Sequence, residues 1–276
     1  LLGLRRLHGL GLWPPAAVAL FFVILGVLGP FFFHYPAGYT SDVSQGPSWA
    51  HPFGTDSLGL DILAESVWGA RTSLFVVLGA GVITVVIGTT IGLLSAYSKW
   101  CDRIFGTIID VMLSLPLLPL MIVLAAFAGP SLLTLVVIIG AFSWPELARI
   151  VRSRALQVLI EPYVDASRAL GSGPFWLLSR SVLPVILPLV ALHGALASAR
   201  AVLAEASLSF LGLSDSSVWS WGRILHNAQR DGVLVHAWWQ ALFPSLCILL
   251  FIASVTLIGL RMTERFDGER MKLPAR

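Results

Sequence analysis

The stretch from Thr72 to Tyr97, TSLFVVLGAGVITVVIGTTIGLLSAY, holds no charged residue. A bilayer core of roughly 30 Å takes about 20 residues of helix to cross. In lipid the backbone must satisfy its own hydrogen bonds, so a run this long and this apolar reads as a transmembrane helix. Strands of a membrane barrel would be shorter and would alternate, and this stretch does not.

Working outward, five further runs qualify: 14–33, 104–127, 131–150, 182–203 and 238–260. The composition agrees with a chain built for lipid. Of 276 residues, 57% are hydrophobic and only 12% charged, against roughly 25% charged in a soluble domain. The expected fold is an all-α polytopic membrane protein with six transmembrane helices, forming one domain over 1–276. The chain opens on Leu1 and not on Met, which reads as a truncated N-terminus. Its first apolar run is long and lacks a following small-residue cleavage site, so it reads as a retained span and not a signal peptide.

Basic residues orient the bundle. Arg5, Arg6, Lys99, Arg103, Arg149, Arg152, Arg154, Arg168, Arg180, Arg261, Arg265, Arg270, Lys272 and Arg276 fall on one side of the expected spans, 14 of the 18 lysines and arginines. Arg71, Arg200, Arg223 and Arg230 fall on the other. Positive charge stays inside, so both termini are expected in the cytoplasm.

Other chemistries find little support. Cys101 and Cys247 do not suggest a disulfide framework. The six histidines show no metal-ligand spacing, so no metal site is expected. A phosphate-cradling loop needs Gly-Lys-Ser/Thr, yet Lys99 follows Ser98 and Lys272 follows Met271. The chain therefore has no ATP site of its own and no catalytic residue is assigned. No nucleophile elbow supports a membrane enzyme, and no filter motif supports a channel. An ion-coupled secondary transporter would carry more spans and midplane sites within one chain.

The inner connection, 151–181, is the most informative loop. Pro162 suits a first helical turn. Gly171 can end that helix in a left-handed conformation, and Pro174 opens a second helix leading toward Pro184. Helix, glycine turn, helix makes a compact elbow with apolar knobs and a few charges. It reads either as an interfacial hairpin joining two spans or as a docking elbow for a cytoplasmic partner. Within the spans or at their ends lie Asp110, Glu146, His193 and Arg200. Intramembrane charges face protein or water. Asp110 and His193 are candidates for a substrate path, while Glu146 and Arg200 sit near the ends of the expected spans, where interfacial placement explains them. Trp219, Trp221, Trp238 and Trp239 suggest an interfacial belt or a docking surface.

The segment EPYVDASRALGSGPFWLLSRSVLP, Glu161 to Pro184, resembles the EAA loop of ABC importer permeases. Asp165-Ala166-Ser167 stands for the acidic-Ala-Ala triplet, followed by Gly171 and then Val182-Leu183-Pro184. HPFGTDSLGLDILAESVWGARTSL, from His51, and EASLSFLGL, from Glu205, followed by WSWGRIL, from Trp219, resemble the C-type permeases for dipeptides, oligopeptides and nickel. Departures are Asp165 for Glu, Ser167 for Ala, Leu60 for a usual Arg, and Gly259-Leu260 for a usual Gly-Asp.

That resemblance implies a type I ABC importer permease fold in the bacterial inner membrane, crossing it several times. It implies ATPase coupling through Glu161, Tyr163, Asp165, Ala166, Ser167, Leu170, Gly171, Pro174, Phe175 and Pro184. The implied partners are a second, homologous permease, two ATP-binding subunits that hold ATP and magnesium, an extracytoplasmic binding protein and membrane lipid, with no nucleic acid. Di- and oligopeptides are the implied cargo, with nickel or another small solute as the alternative.

Overall fold

The computed structural model describes residues 13–232 and 236–270. Arg5, Arg6, Lys272 and Arg276 lie outside the described residues. The element order is α1 (Trp13–Phe32), α2 (Ile62–Tyr97), α3 (Lys99–Ser114), α4 (Leu117–Ala128), α5 (Leu132–Leu159), α6 (Pro162–Ala169), α7 (Pro174–Trp176), a π-helical turn (Leu177–Val182), α8 (Leu183–Phe210), α9 (Trp221–Arg230) and α10 (Trp239–Arg270). Among the described residues the only strand-like pairing is an isolated bridge between Thr55 and Asp61.

Among the described residues, five helical runs are long and apolar enough to cross a membrane: α1, α2, α5, the continuous run Pro174–Phe210, and Trp239–Met262 within α10. The run expected as one helix over 104–127 is instead two helices, α3 and α4, bent by 91°. Proline explains the break. Pro116 has no N–H to give and pushes the residue before it out of the α region; Leu115 accordingly sits at φ −81°, ψ 142°. Counting the bent pair as one crossing gives six.

Small residues bring the two central helices together, as they do where both faces are apolar. A Cβ at Gly88 would lie 3.0 Å from the Trp144 carbonyl oxygen, and one at Gly92 only 2.7 Å from that of Ala148. Gly79 meets Val136 in the same register, so α2 and α5 run parallel. Gly26 meets Ala70 and Gly29 meets Val67, so α1 runs antiparallel to α2. Gly194 faces Val85 and Gly81 faces Ser198, so α8 also runs antiparallel to α2. One end of the bundle therefore carries α6 and α7. The opposite end carries residues 33–61 and α9.

The opposite end is tied down by side chains. Asp56 accepts the amides of Leu58 and Leu60 at 2.8 and 2.7 Å, and Asp61 caps α2 through Leu63 N–H at 2.8 Å. Leu60 is buried in a cluster with Phe22, Ala70 and Trp221. Trp219 and Trp221 are buried as well, not displayed as a belt or docking surface. Their indole N–H groups donate to the carbonyls of Pro36 and Ser66 at 2.9 and 3.0 Å. Trp239 is half-buried and donates to Thr55, while Trp238 is exposed.

Candidate functional site

The elbow is built from local rules. Glu161 is extended, Pro162 takes the first turn, and α6 begins. At its end Gly171 has φ +84°, where L side chains are strained. The Ser172 amide donates to Ser167 O at 3.1 Å and the Gly171 amide to Arg168 O at 2.9 Å, the paired bonds of a Schellman turn. Gly173 then caps α7 and Pro174 opens it.

Past α7 the chain widens into the π turn, where Leu183 donates to Leu178 O, five residues back. Pro184 accounts for the widening. Its ring would collide with the carbonyl of Arg180 in a regular α turn, and it has no N–H to close one.

Only one side chain of α6 is buried: Val164, fully inside a cluster with Leu159, Leu177 and Val182. The Tyr163 hydroxyl donates to Ser181 O at 3.4 Å. Asp165 and Arg168 pair at 2.8 Å on the surface, and Ser167 Oγ donates back to Tyr163 O at 3.1 Å. Glu161, Ala166, Gly171, Pro174 and Pro184 are exposed. Leu170 and Phe175 are 87% and 84% exposed. Both are large apolar side chains left uncovered close in sequence to the Asp165–Arg168 pair. The structure thus gathers Glu161 to Phe175 at one end of the bundle, with Pro184 one π turn and a helix start away.

The candidates inside the bundle sort differently. Asp110 on α3 forms an ion pair with Arg149 on α5, and Asp102 takes Arg152 in a bidentate pair whose Nη2–Oδ2 distance is 2.7 Å. These pairs clamp the oblique helix α3 to α5 and line a polar cavity of about 310 Å³.

Glu146 and Arg200 are not at helix ends. The helices run on to Leu159 and Phe210. At about 1.5 Å per residue Glu146 lies roughly 21 Å from the start of α5, near its middle, and Arg200 about 15 Å from the end of α8. They pair with each other at 2.8 Å, and their side chains remain 48% and 52% exposed. His193, seven residues before Arg200 on α8, lies within electrostatic reach of both. Sequence reasoning missed this pair because it placed the helix ends too early. The one available signal was that both residues sit on long, otherwise apolar runs.

Among the described residues, no group of three or more His, Cys, Asp or Glu could hold a metal ion.

Comparison with known proteins follows the same outline. Residues 88–269 match the family described as binding-protein-dependent transport system inner membrane component. A protein named as a peptide permease from Brucella suis biovar 1 is 37% identical over 227 residues, covering 82% of this chain and 75% of its own. The dipeptide transport system permease protein DppC of Alkalihalophilus pseudofirmus is 32% identical over 250 residues, covering 89% and 82%. Among solved structures, a chain of the MetNI methionine ABC transporter in an inward-facing conformation superposes with a TM-score of 0.61 at 19% identity, covering 74% of this chain and 95% of that one.

Proposed function

Because the chain belongs to the family of binding-protein-dependent transport system inner membrane components, we propose that it forms half of the translocation pathway of an ATP-driven importer for di- and oligopeptides and is driven through the elbow at Glu161–Pro184. The protein is an ABC importer permease, a multi-pass component of the bacterial inner membrane. The peptide cargo is carried over from relatives named for peptide and dipeptide transport.

The elbow end faces the cytoplasm in this reading. Lys99, Arg103, Arg152, Arg154, Arg168 and Arg180 gather toward it, and Arg71, Arg223 and Arg230 toward the other end. Each of two ATP-binding subunits, holding ATP and magnesium, seats the elbow of one permease in a groove. The second permease resembles this one and completes the pathway. An extracytoplasmic binding protein delivers the peptide to the end formed by residues 33–61 and α9.

The observation that carries the coupling role is the contrast within α6 and its turn. Leu170 and Phe175 are bare, while Val164 is fully buried. A partner pushing on the exposed knobs would move α5 and α8 through Val164 and its cluster, a rigid-body route to alternating access. The test is purification from the native membrane, followed by ATP hydrolysis and peptide uptake in vesicles. Two ATPase chains should co-purify, and Asp165→Lys should leave the chain in the membrane while uptake per ATP falls. A chain that purifies alone, or an Asp165→Lys variant that transports like the wild type, would overturn the assignment.

A further inference from the structure

A charged pair set well inside two membrane helices is costly unless each charge faces its partner, protein or water. Glu146 and Arg200 meet the first condition at 2.8 Å, yet about half of each side chain is uncovered. They open into a cavity of about 330 Å³ under the break between α3 and α4, walled by Leu117, Met121 and Phe142 and edged by the hydroxyls of Ser143 and Ser207. Residues on both sides of the Pro116 break line this space, Leu113 on α3 and Leu117 on α4.

We propose that Glu146 and Arg200 read the two ends of a short peptide within the translocation pathway, Glu146 taking the α-ammonium group and Arg200 the α-carboxylate. This assignment rests on the importer reading above and names the residues that sense its cargo.

The chemistry favours a zwitterion over an ion. The pair is neutral as it stands, so the empty pathway holds no uncompensated charge. A lone cation or anion would satisfy one side chain and strand the other, the costly outcome for charges withdrawn from water. A free-ended peptide satisfies both at once. Capacity also remains: guanidinium has five N–H donors and a carboxylate about four acceptor sites, more than the 2.8 Å contact between Arg200 Nη2 and Glu146 Oε2 uses. A dipeptide spaces its α-carbons about 3.8 Å apart across a trans peptide, so its two charged ends stay within one short segment, matched to one acid and one base held side by side. The surrounding wall is mainly Leu, Met, Phe and Ala, without a further charge. Such a wall contacts varied peptide side chains without selecting one charge.

Two readouts test the assignment in the assembled complex, reconstituted with its binding protein in proteoliposomes. In the first, uptake of dialanine is measured for Glu146→Gln, Arg200→Gln and the double variant Glu146→Leu with Arg200→Leu. The double variant removes both charges together and strands neither, so the complex should still assemble while uptake falls at least about tenfold. In the second, Ser207→Cys is placed in a Cys101→Ser, Cys247→Ser background with the charge pair intact, and labelling by a water-soluble cationic thiosulfonate is timed. Labelling should proceed, and should slow at least about fivefold with saturating dialanine but not with N-acetyl-dialanine amide.

Double-variant uptake within twofold of the unaltered complex, or labelling that free-ended and blocked peptides slow equally, would overturn this assignment alone. If the double variant fails to assemble, the labelling readout decides, since it leaves the pair untouched. An unaltered complex that takes up no peptide at all would overturn the importer reading together with this one.

Discussion

Replacing Val164 with Ala should loosen the elbow without disturbing its surface. Val164 is fully buried, packed in the cluster that includes Leu159, Leu177 and Val182, and is the only buried residue of α6. The change removes two methyl-sized groups, worth about 0.8 kcal/mol each, or about 1.6 kcal/mol in all before any cavity term. At about 1.4 kcal/mol per tenfold, the undocked fraction of α6 rises roughly fifteenfold. Hydrogen exchange of the amides from Asp165 to Leu170, measured on the purified complex in lipid nanodiscs, should speed up by that factor, while amides in the middle of α2 should not change. Peptides imported per ATP should fall together with docking. Exchange in α6 that stays within twofold of wild type would show that the elbow is held by something other than this contact, and the lever argument would fail with it.

Gly171→Ala meets open space but a φ of +84°, so it should cost about 1–2 kcal/mol by strain alone. Gly171→Asn should cost less. Unchanged α6 exchange in Gly171→Ala would contradict the left-handed turn. At the opposite end, burial lifts the Asp56 carboxyl above its ordinary value of 3.8, against hydrogen bonds from the amides of Leu60 and Leu58 and from the Glu65 side chain that pull it down. A raised acid binds its proton more tightly when folded, so the penalty for charging it is absent below about pH 3.8 and grows as pH rises through the folded value. Asp56→Asn, which keeps an acceptor for Leu58 and Leu60, should therefore raise the melting temperature at pH 7.5 and lose that advantage on acidification toward pH 4; an equal effect at both would refute the sign.

Much of the elbow was legible because its determinants are local. Pro162, Gly171 and Pro174 each act through their own dihedral angles or missing N–H, and each sits where those constraints place it. The break at Pro116 was equally local and was nonetheless passed over, since hydropathy averaged across it sees one apolar run. The buried Trp219 and Trp221 mislead for a different reason. An indole is at home in an interface or under a loop, and only the carbonyls of Pro36 and Ser66, far away in sequence, decide between the two.

What the sequence alone determined is the solvent of this protein and the shape of its elbow. Uncharged runs about 20 residues long must be helices in lipid, and proline and glycine punctuate the loop between two of them. What only the tertiary structure decided is which charges meet. Asp110, with Arg149, belongs to the α3 clamp, and Glu146 and Arg200, which the sequence places near the ends of apolar runs, pair well inside their helices. Ion pairing depends on the register of one helix against another. That register is set by close approaches such as Gly88 to Trp144 and Gly92 to Ala148, between residues more than fifty positions apart, and no local pattern carries it.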